Sequence, residues 1–423
     1  MTPQRRRVST FASALVAAFF LALVSPAAPP AVADSIRDRE YWLDDYGISQ
    51  AWTKTRGAGV TVAVIDTGID GTHPDLAGAV VGGTDVSGVG ASDGQTPVGY
   101  SSREHGTMVA SLLAGRGTGA DSGVIGVAPE ANLLSVSVGF GVGTVPSDDQ
   151  IAQAVRWSVD NGADVINMSL TRNTIEWPES WDEAFLYAMQ NDVVVVAAAG
   201  NRGSGTTQVG APATMPGVLT VAGVDRRGNA SFDASSQGIT ISVSAPSEEL
   251  VGATPGGGYS AWGGTSGAAP IVAGLVALVR SAHPQLDAGG VINRITETAR
   301  QVPGQRDPSP IYGHGLIDAD AAVQGSVATV GEDPAQLLAD WIRLYRRADA
   351  EPIPTPTPVL PSPTPIEEQE VAGPVSPLGT VLPTLDQLRF VGIPVLVYTI
   401  FALAFGAVGW RAVREFGRLR RKE

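Results

Sequence analysis

The sequence contains no cysteine, few aromatic residues and too little positive charge to balance its acidic residues. The absence of cysteine in 423 residues excludes disulfides, thiolate metal sites and a thiol nucleophile. Lys and Arg total 28 against 42 Asp and Glu, a formal net charge of -14. We therefore expect no nucleic acid partner, because such binding depends on neutralising phosphates. At 43% hydrophobic residues the chain can bury a large core, and its stability must come from packing, with or without bound ions.

The first 33 residues are typical of an export signal. Arg5, Arg6 and Arg7 precede an apolar stretch at 11–24, and Ala31-Val32-Ala33 supplies small residues before a cut ahead of Asp34. The apolar stretch is short for a membrane span. We therefore predict a cleaved signal peptide at 1–33 rather than a permanent N-terminal anchor.

Near the other end, residues 390–410 contain no charged side chain. At ~1.5 Å per helical residue, this stretch is long enough to cross a ~30 Å hydrocarbon layer. The tail that follows, 411–423, has six basic and two acidic residues, as expected on the cytoplasmic side. We predict a C-terminal transmembrane helix at 390–410, a cytoplasmic tail at 411–423, and a globular region outside the cell membrane.

Residues 326–389 are predicted to be a linker. Between Pro352 and Pro365, seven of fourteen residues are proline, a composition that favours a stiff polyproline II spacer. Upstream, Asp333 and Pro334 predict the start of a short helix with apolar residues at mostly helical spacing over 337–345. The sequence leaves open whether this helix docks on the globular region or lies at the membrane surface.

The region 34–325 has the pattern of an α/β domain. Helical stretches at 150–161 and 181–191 alternate with apolar runs, which are typical of strands. The runs lie at 60–65, 133–138, 165–169, 193–199 and 218–224. Because they are apolar on both faces, we predict a mostly parallel sheet flanked by helices, with the chemistry beyond the strand ends.

Three short motifs in this region carry candidate catalytic residues: Asp66-Thr67-Gly68, His105-Gly106-Thr107 and Gly264-Thr265-Ser266. A serine hydroxyl becomes a nucleophile when a neutral imidazole takes its proton, and a carboxylate orients that imidazole. This chemistry assigns Ser266 as nucleophile, His105 as base and Asp66 as its partner. Alone, each motif has another reading: Asp-Thr-Gly also marks aspartic proteases, which need two copies, and the others could be a helix start and a turn.

Six sequence blocks in order make the chain resemble the subtilase family of serine proteases. They are VAVIDTGIDGTHPDL at 62–76, HGTMVAS at 105–111, VINMSL at 165–170, VVAAAGN at 195–201, GGTSGAAPIVAG at 263–274 and YGHGLIDADAA at 312–322. The resemblance implies a subtilisin-like fold, peptide-bond hydrolysis through an acyl-enzyme, no required cofactor, and Asn201 as a side-chain donor to the oxyanion. Glu104 stands where the family usually has glycine, and it either perturbs His105 or, as we favour, points to solvent.

The same resemblance implies which segments hold a polypeptide substrate. An extended peptide would pair as a strand with two exposed segments and place a side chain in a mostly apolar pocket. The implied substrate-binding residues are Gly143 and Pro146 on one segment, Ser169, Leu170 and Thr171 on the other, and Ala198, Ala199 and Gly200 in the pocket wall. Thr171 replaces a common glycine, which predicts a narrower pocket.

Asp70, His73 and Asp75 form a small cluster of metal-ligand residue types after the first motif. Because the segment matches a structural block of the family, we assign it a structural role and predict no metal site there. Calcium is frequent in subtilases and Asp75 matches one ligand position, whereas the partner loop at 116–123 departs from the usual sequence. A structural calcium ion therefore stays an open alternative.

An export signal, a proline-rich linker and a C-terminal membrane helix attached to a subtilase domain together resemble mycosins, the membrane-anchored subtilases of type VII secretion. The resemblance implies an exported polypeptide as substrate and membrane proteins of a secretion complex as partners. The alternative from another class is a catalytically idle subtilase fold that serves as a structural subunit of such a complex.

Overall fold

The computed structural model describes residues 36–346, apart from 101, 120, 144, 329 and 330, together with Val395, Leu396, Thr399 and Leu403. The predicted signal peptide, proline-rich spacer, basic tail and most of the predicted transmembrane helix lie outside the described residues. The chain divides into two compact units, Met1–Ala350 and Glu351–Glu423. Within the second unit, each of the four described residues is helical.

A seven-stranded parallel sheet forms the centre of the first unit, in the spatial order β2-β3-β1-β4-β5-β6-β7. The strands are β1 (Thr61–Asp66), β2 (Val80–Asp85), β3 (Asn132–Ser137), β4 (Val165–Met168), β5 (Val194–Ala198), β6 (Leu219–Val224) and β7 (Ile241–Pro246). Nearly all residues of β1 and β3–β7 are buried, because helices cover both faces of the sheet. The predicted α/β fold with a mostly parallel sheet is confirmed.

The helices form two layers around this sheet. They are α1 (Trp42–Asp45), α2 (Ile48–Ala51), α3 (His105–Ala114), α4 (Ser147–Asp160), α5 (Glu179–Gln190), α6 (Thr265–Ala282), α7 (Ala288–Glu297), α8 (Ala319–Gln324) and α9 (Pro334–Tyr345). Hydrophobic residues on the two sides of the sheet make two separate core clusters. The layers hold the carboxyl ends of the strands in one place, so residues that follow those ends meet.

Helix α6 is the buried axis of the domain. It contacts β4–β7 and α3, and it is long and apolar enough to cross a membrane, the one such helix in the described part of the chain. Since 78% of its most apolar window is buried, it is a core helix. An antiparallel hairpin, β8 (Leu250–Thr254) and β9 (Gly258–Trp262), leads into α6.

Helix α9 docks on α5 of the same unit, which settles the alternative that the sequence left open. Leu338 is fully buried, and the Trp341 ring lies 4.3 Å from the Trp177 ring between centroids. At the end of α9, Arg346 forms a 2.8 Å ion pair with Asp182. The apolar face of the predicted helix therefore belongs to the domain core.

Candidate active site

Asp66 and His105 form a hydrogen-bonded pair at the carboxyl end of the parallel strands. Asp66 is the last residue of β1 and His105 the first of α3, and His105 Nδ1 lies 2.8 Å from Asp66 Oδ1 and 3.0 Å from Oδ2. The Asp66 side chain is only 2% exposed, whereas 24% of the His105 side chain is exposed. A buried carboxylate on Nδ1 leaves Nε2 as the nitrogen that can accept a proton.

Backbone contacts between the first two motifs hold this pair together. The Thr67 N–H donates to Asp66 Oδ1 at 2.7 Å, and the Gly106 N–H donates to Thr67 Oγ1 at 3.0 Å. A Cβ atom at Gly106 would lie 2.4 Å from the carbonyl oxygen of Gly68, so only glycine permits this approach. The two motifs are therefore one packed unit rather than two independent turns.

The electrostatic environment of His105 favours its protonated form. Burial lowers the pKa of His105, but the charge of Asp66 and its hydrogen bond, with a smaller contribution from Glu104, raise it above the usual 6.5. The Trp262 ring packs edge-on against the imidazole, with centroids 5.7 Å apart. Glu104, which we expected to point to solvent, is half-buried at the wall of an open cavity of about 770 Å³ and also acts on His105.

Ser266 lies in the first turn of α6, half-exposed at the end of a helix whose remaining turns are buried. Its hydroxyl donates to the carbonyl oxygen of Ser169 at 3.2 Å, and the Ser169 hydroxyl donates back to the Ser266 carbonyl at 2.9 Å. Over the described residues, no hydrogen bond joins Ser266 to His105 and none uses the Ser266 N–H. The N-terminal end of a helix leaves such N–H groups pointing at an incoming negative charge.

Asn201 follows β5 and lies against the start of α6. Its Oδ1 accepts hydrogen bonds from the Thr265 N–H at 2.8 Å and the Thr265 hydroxyl at 2.9 Å. This orientation leaves Nδ2 facing Gly264, where a Cβ atom would be only 2.9 Å from it. Because Oδ1 is fixed, the amide N–H₂ is held ready as a donor.

The residues predicted to contact substrate surround this position. Ala198, Ala199 and Gly200 are buried, whereas Leu170 and Thr171 are half-exposed. Thr171 Cγ2 is 3.2 Å from where a Cβ at Gly200 would lie, so the two residues are packed closely against each other. Gly200 has a φ of +99°, and its N–H donates to the Thr265 hydroxyl.

Gly143 and Pro146 are exposed on the loop that leads into α4. An ion pair joins the first turn of α4, directly after this loop, to the residue after Thr171, because Arg172 Nη1 lies 2.5 Å from Oδ1 of Asp148. The two segments predicted to pair with a substrate strand therefore lie near each other at this ion pair.

Sequence reasoning missed the parts of this site that come from the hairpin and from the helix start. Trp262 lies in no recognisable motif, and its contact with His105 depends on how the β8–β9 hairpin packs beside α3. Thr265 was part of a motif, but only the structure shows that it orients Asn201. Asn167, fully buried, donates to the Ser169 hydroxyl at 3.1 Å and extends the network behind Ser266.

The cluster of Asp70, His73 and Asp75 serves the fold. Asp70 accepts hydrogen bonds from Thr72 and Gly256, and His73 Nδ1 accepts the Asp75 N–H at 3.1 Å. His73 Nε2 then donates to a carbonyl of the β8–β9 hairpin at 3.1 Å. No group of three or more metal-ligating side chains occurs among the residues that the structure describes.

A calcium ion does not fit the surroundings of Asp75. Calcium needs about six to eight oxygen ligands. The carbonyl oxygens of Ser122 and Gly123 beside Asp75 instead accept hydrogen bonds from the Arg37 guanidinium, at 3.0 and 3.1 Å. An arginine side chain takes the space that an ion would need beside Asp75.

Comparisons with known proteins cover the part of the chain that contains this site. The model of the subtilase family matches residues 57–315. The chain is 39% identical to subtilisin DY of Bacillus licheniformis over 64% of this chain and 92% of the relative. It is 35% identical to fervidolysin of Fervidobacterium pennivorans over 69% of this chain, but it spans only 45% of that relative.

The fold of this chain also resembles that of a solved structure. The crystal structure of MycP1 from the ESX-1 type VII secretion system superposes with a TM-score of 0.59 at 30% identity, covering 72% of this chain and 89% of that one. Family match, sequence relatives and fold agree on the same stretch of the chain. This chain belongs to the subtilase family, whose members are subtilisin-like serine endopeptidases.

Proposed function

We propose that this protein is a membrane-tethered serine endopeptidase that cleaves exported polypeptides through an acyl-enzyme. The observation that carries the proposal is the Asp66–His105 pair, built on the same sheet edge as the start of α6, where Ser266 and its free N–H lie. A buried carboxylate, an accessible imidazole and a hydroxyl at a helix N-terminus are the parts that acyl transfer needs.

In the proposed reaction, the Ser266 hydroxyl turns from the Ser169 carbonyl towards His105 and attacks the peptide carbonyl carbon. His105 Nε2 takes the hydroxyl proton, while Asp66 stabilises the imidazolium that forms. The Ser266 N–H and Asn201 Nδ2 donate to the oxyanion. His105 then protonates the leaving amine, and a water molecule repeats the same steps to release the acyl group and restore the hydroxyl.

The substrate in this proposal is an extended polypeptide bound as an added strand between 143–146 and 169–171. The ion pair between Arg172 and Asp148 supports this arrangement because it joins the residues that follow the two segments. The contact between Thr171 and Gly200 narrows the pocket. We therefore infer that the residue preceding the cleaved bond has a small apolar side chain.

The proposed location is the outer face of the cell membrane, with residues 390–410 as the anchor and the C-terminus in the cytoplasm. Val395, Leu396 and Leu403 are helical and exposed apolar residues, as a lipid-facing helix requires. The relation to MycP1 supports membrane proteins of a type VII secretion complex as partners. Accessibility to an external protease before and after membrane permeabilisation tests this topology, and digestion of a C-terminal tag in intact cells would refute it.

A fluorophosphonate probe tests the catalytic proposal, because it reacts only with an activated serine. We expect the full chain to be labelled, with no labelling of Ser266→Ala and a strong loss of labelling in His105→Ala. Thermal unfolding of each variant shows whether the fold is intact. A folded wild-type protein without labelling would refute the enzyme and favour an idle subtilase fold in a secretion complex.

A further inference from the structure

The side chain of Arg37 lies at the centre of a group of oxygen atoms on the opposite side of the first motif. Its Nε donates to the Gly123 carbonyl at 3.1 Å and pairs with Glu40 Oε2 at 2.9 Å, and its Nη2 donates to the Ser122 carbonyl at 3.0 Å. Asp75 lies beside them, fully buried. Two backbone carbonyls and the Glu40 carboxylate thus contact one cationic side chain, and the Asp75 carboxylate lies next to one of the two carbonyl residues, Gly123.

The loop that supplies the carbonyls is shaped around this arrangement. A Cβ atom at Gly117 would lie 2.7 Å from Arg37 Nη2, and one at Gly123 would lie 2.0 Å from Asp75 Oδ1. Both glycines have positive φ values, +68° and +70°. The backbone therefore adopts a path that leaves room for a guanidinium and a carboxylate, where other residues would collide.

One oxygen of this group has no donor of its own. Asp75 Oδ2 accepts the Val124 N–H at 2.8 Å, but the buried Oδ1 has no hydrogen-bond partner. Glu40, which is 4% exposed, accepts the Ile125 N–H at 3.0 and 3.2 Å. Opposite charge close by favours the ionised form of a buried carboxylate, and the Arg37 guanidinium supplies that charge to Glu40 at 2.9 Å.

Carbonyl and carboxylate oxygens are the ligands of hard cations. A guanidinium supplies a permanent positive charge and several donors in one plane, and it can satisfy such oxygens from within the chain. We propose that these four residues, Glu40, Asp75, Ser122 and Gly123, form a cation site whose resident cation is the Arg37 guanidinium, and that calcium binds there once that side chain is removed.

The proposal gives the N-terminal segment a role that is independent of catalysis. Arg37 precedes α1 and α2, where Trp42 and Ile48 are fully buried in the core. A segment that packs on the catalytic domain thus supplies the cation. The hydrogen bonds of Arg37 hold the loop at Ser122 and Gly123 without a bound metal ion. The fold would then be insensitive to free calcium.

Thermal unfolding of the full chain, with Ser266→Ala in every variant to prevent self-cleavage, tests this. Measurements run at alkaline pH, because burial raises the pKa of Glu40 to about 8, and each is made with chelator and with millimolar calcium. We expect Arg37→Ala to lower Tm by roughly 5–10 °C in chelator, as removal of one partner of a buried ion pair does. Calcium should restore part of that loss with saturation, and should leave the parent protein unchanged.

Arg39→Ala is the matched control, because Arg39 lies in the same 3₁₀ turn, Arg37–Arg39, and is exposed. It should match the parent in both conditions. If Arg37→Ala does not fold, Arg37→Gln gives the same comparison with a neutral donor.

Three results would overturn the proposal. They are an Arg37 variant as stable as the Arg39 control, a destabilised variant on which calcium has no effect, and a parent protein that calcium itself stabilises. The last would make the metal, and not Arg37, the resident cation.

Discussion

Thr265→Val tests how the proposed oxyanion donor is held in place. The Asn201 amide is oriented by two hydrogen bonds to its Oδ1, from the N–H and the hydroxyl of Thr265. Valine has nearly the same shape, but it removes the hydroxyl and keeps the N–H. The change therefore loosens Asn201 and, among the residues predicted to line the substrate pocket, removes a hydrogen bond only from the Gly200 N–H.

The size of the effect follows from the contacts that are lost. One hydrogen bond contributes about 0.5–1.5 kcal/mol, so the ratio of oriented to displaced amide falls roughly 2- to 10-fold. We expect kcat to fall by up to that factor with little change in KM, because the amide acts on the oxyanion. Asn201→Ala removes the donor altogether and should reduce kcat by about 10²- to 10³-fold.

The same substitution should cost stability. The buried Gly200 N–H donates to the Thr265 hydroxyl at 3.1 Å and would lose its acceptor, at a cost of about 1–3 kcal/mol. Thermal unfolding measures this loss of stability separately from the kinetics. Thr265→Ser, which keeps the hydroxyl, is the control and should retain both kcat and Tm.

Steady-state kinetics on a peptide substrate, with active sites counted by fluorophosphonate titration, complete the test. In the Asn201→Ala background, Thr265→Val should lower kcat no further, because there is no amide left to orient. A full additional loss in the double variant, or an unchanged kcat in the single variant, would refute the assigned role of Thr265.

Three further predictions concern charge and packing. Glu104→Gln should move the acid limb of the kcat/KM profile to lower pH, because Glu104 raises the pKa of His105 and only the neutral imidazole is a base; an unmoved limb contradicts this. Burial raises the pKa of Glu40 from 4.5 to about 8, although the hydrogen bond from the Ile125 N–H and the charge of Arg37 lower it. Between pH 4.5 and about 8, the folded state therefore binds more protons than the unfolded state. The free energy of unfolding should therefore fall as pH rises through that window, by up to about 1.4 kcal/mol per pH unit, and chemical denaturation should show a flatter dependence for Glu40→Gln. Leu338→Ala should cost about 2–5 kcal/mol in the same assay, because this α9 side chain is fully buried where α9 packs on α5, whereas exposed Leu344→Ala should cost less than about 0.5 kcal/mol; equal losses would argue against docking.

The parts of the fold that sequence predicted are those with strong local signals. Strands β1 and β3–β6 are continuous apolar runs, and their bounds agree with the predicted ones to within a residue or two. Strand β2 was missed because it contains two glycines and is only partly buried. The β8–β9 hairpin was missed because its strands are short and joined by a glycine turn, so the sequence contains no long apolar run that would predict them.

The site shows the same division between local and spatial information. The motifs predicted that Asp66 and His105 would meet, and the structure brings them within hydrogen-bond distance. The contact of Trp262 with His105 and the position of Arg37 join segments far apart in sequence, so no pattern along the chain could reveal them. Predictions for the two chain termini and for the roles of Ser266 and Asn201 stay predictions until the experiments above are done.

The hydrogen bonds of Arg37 set a limit on where the chain can be cut near its N-terminus. The predicted cut ahead of Asp34 would leave this arginine three positions from the new end, with its two carbonyl partners still satisfied. Removal of four more residues would take away the donor to both carbonyls and leave Glu40 and Asp75 without the charge of Arg37. The predicted cleavage site and a cut that weakens the fold therefore lie only four residues apart.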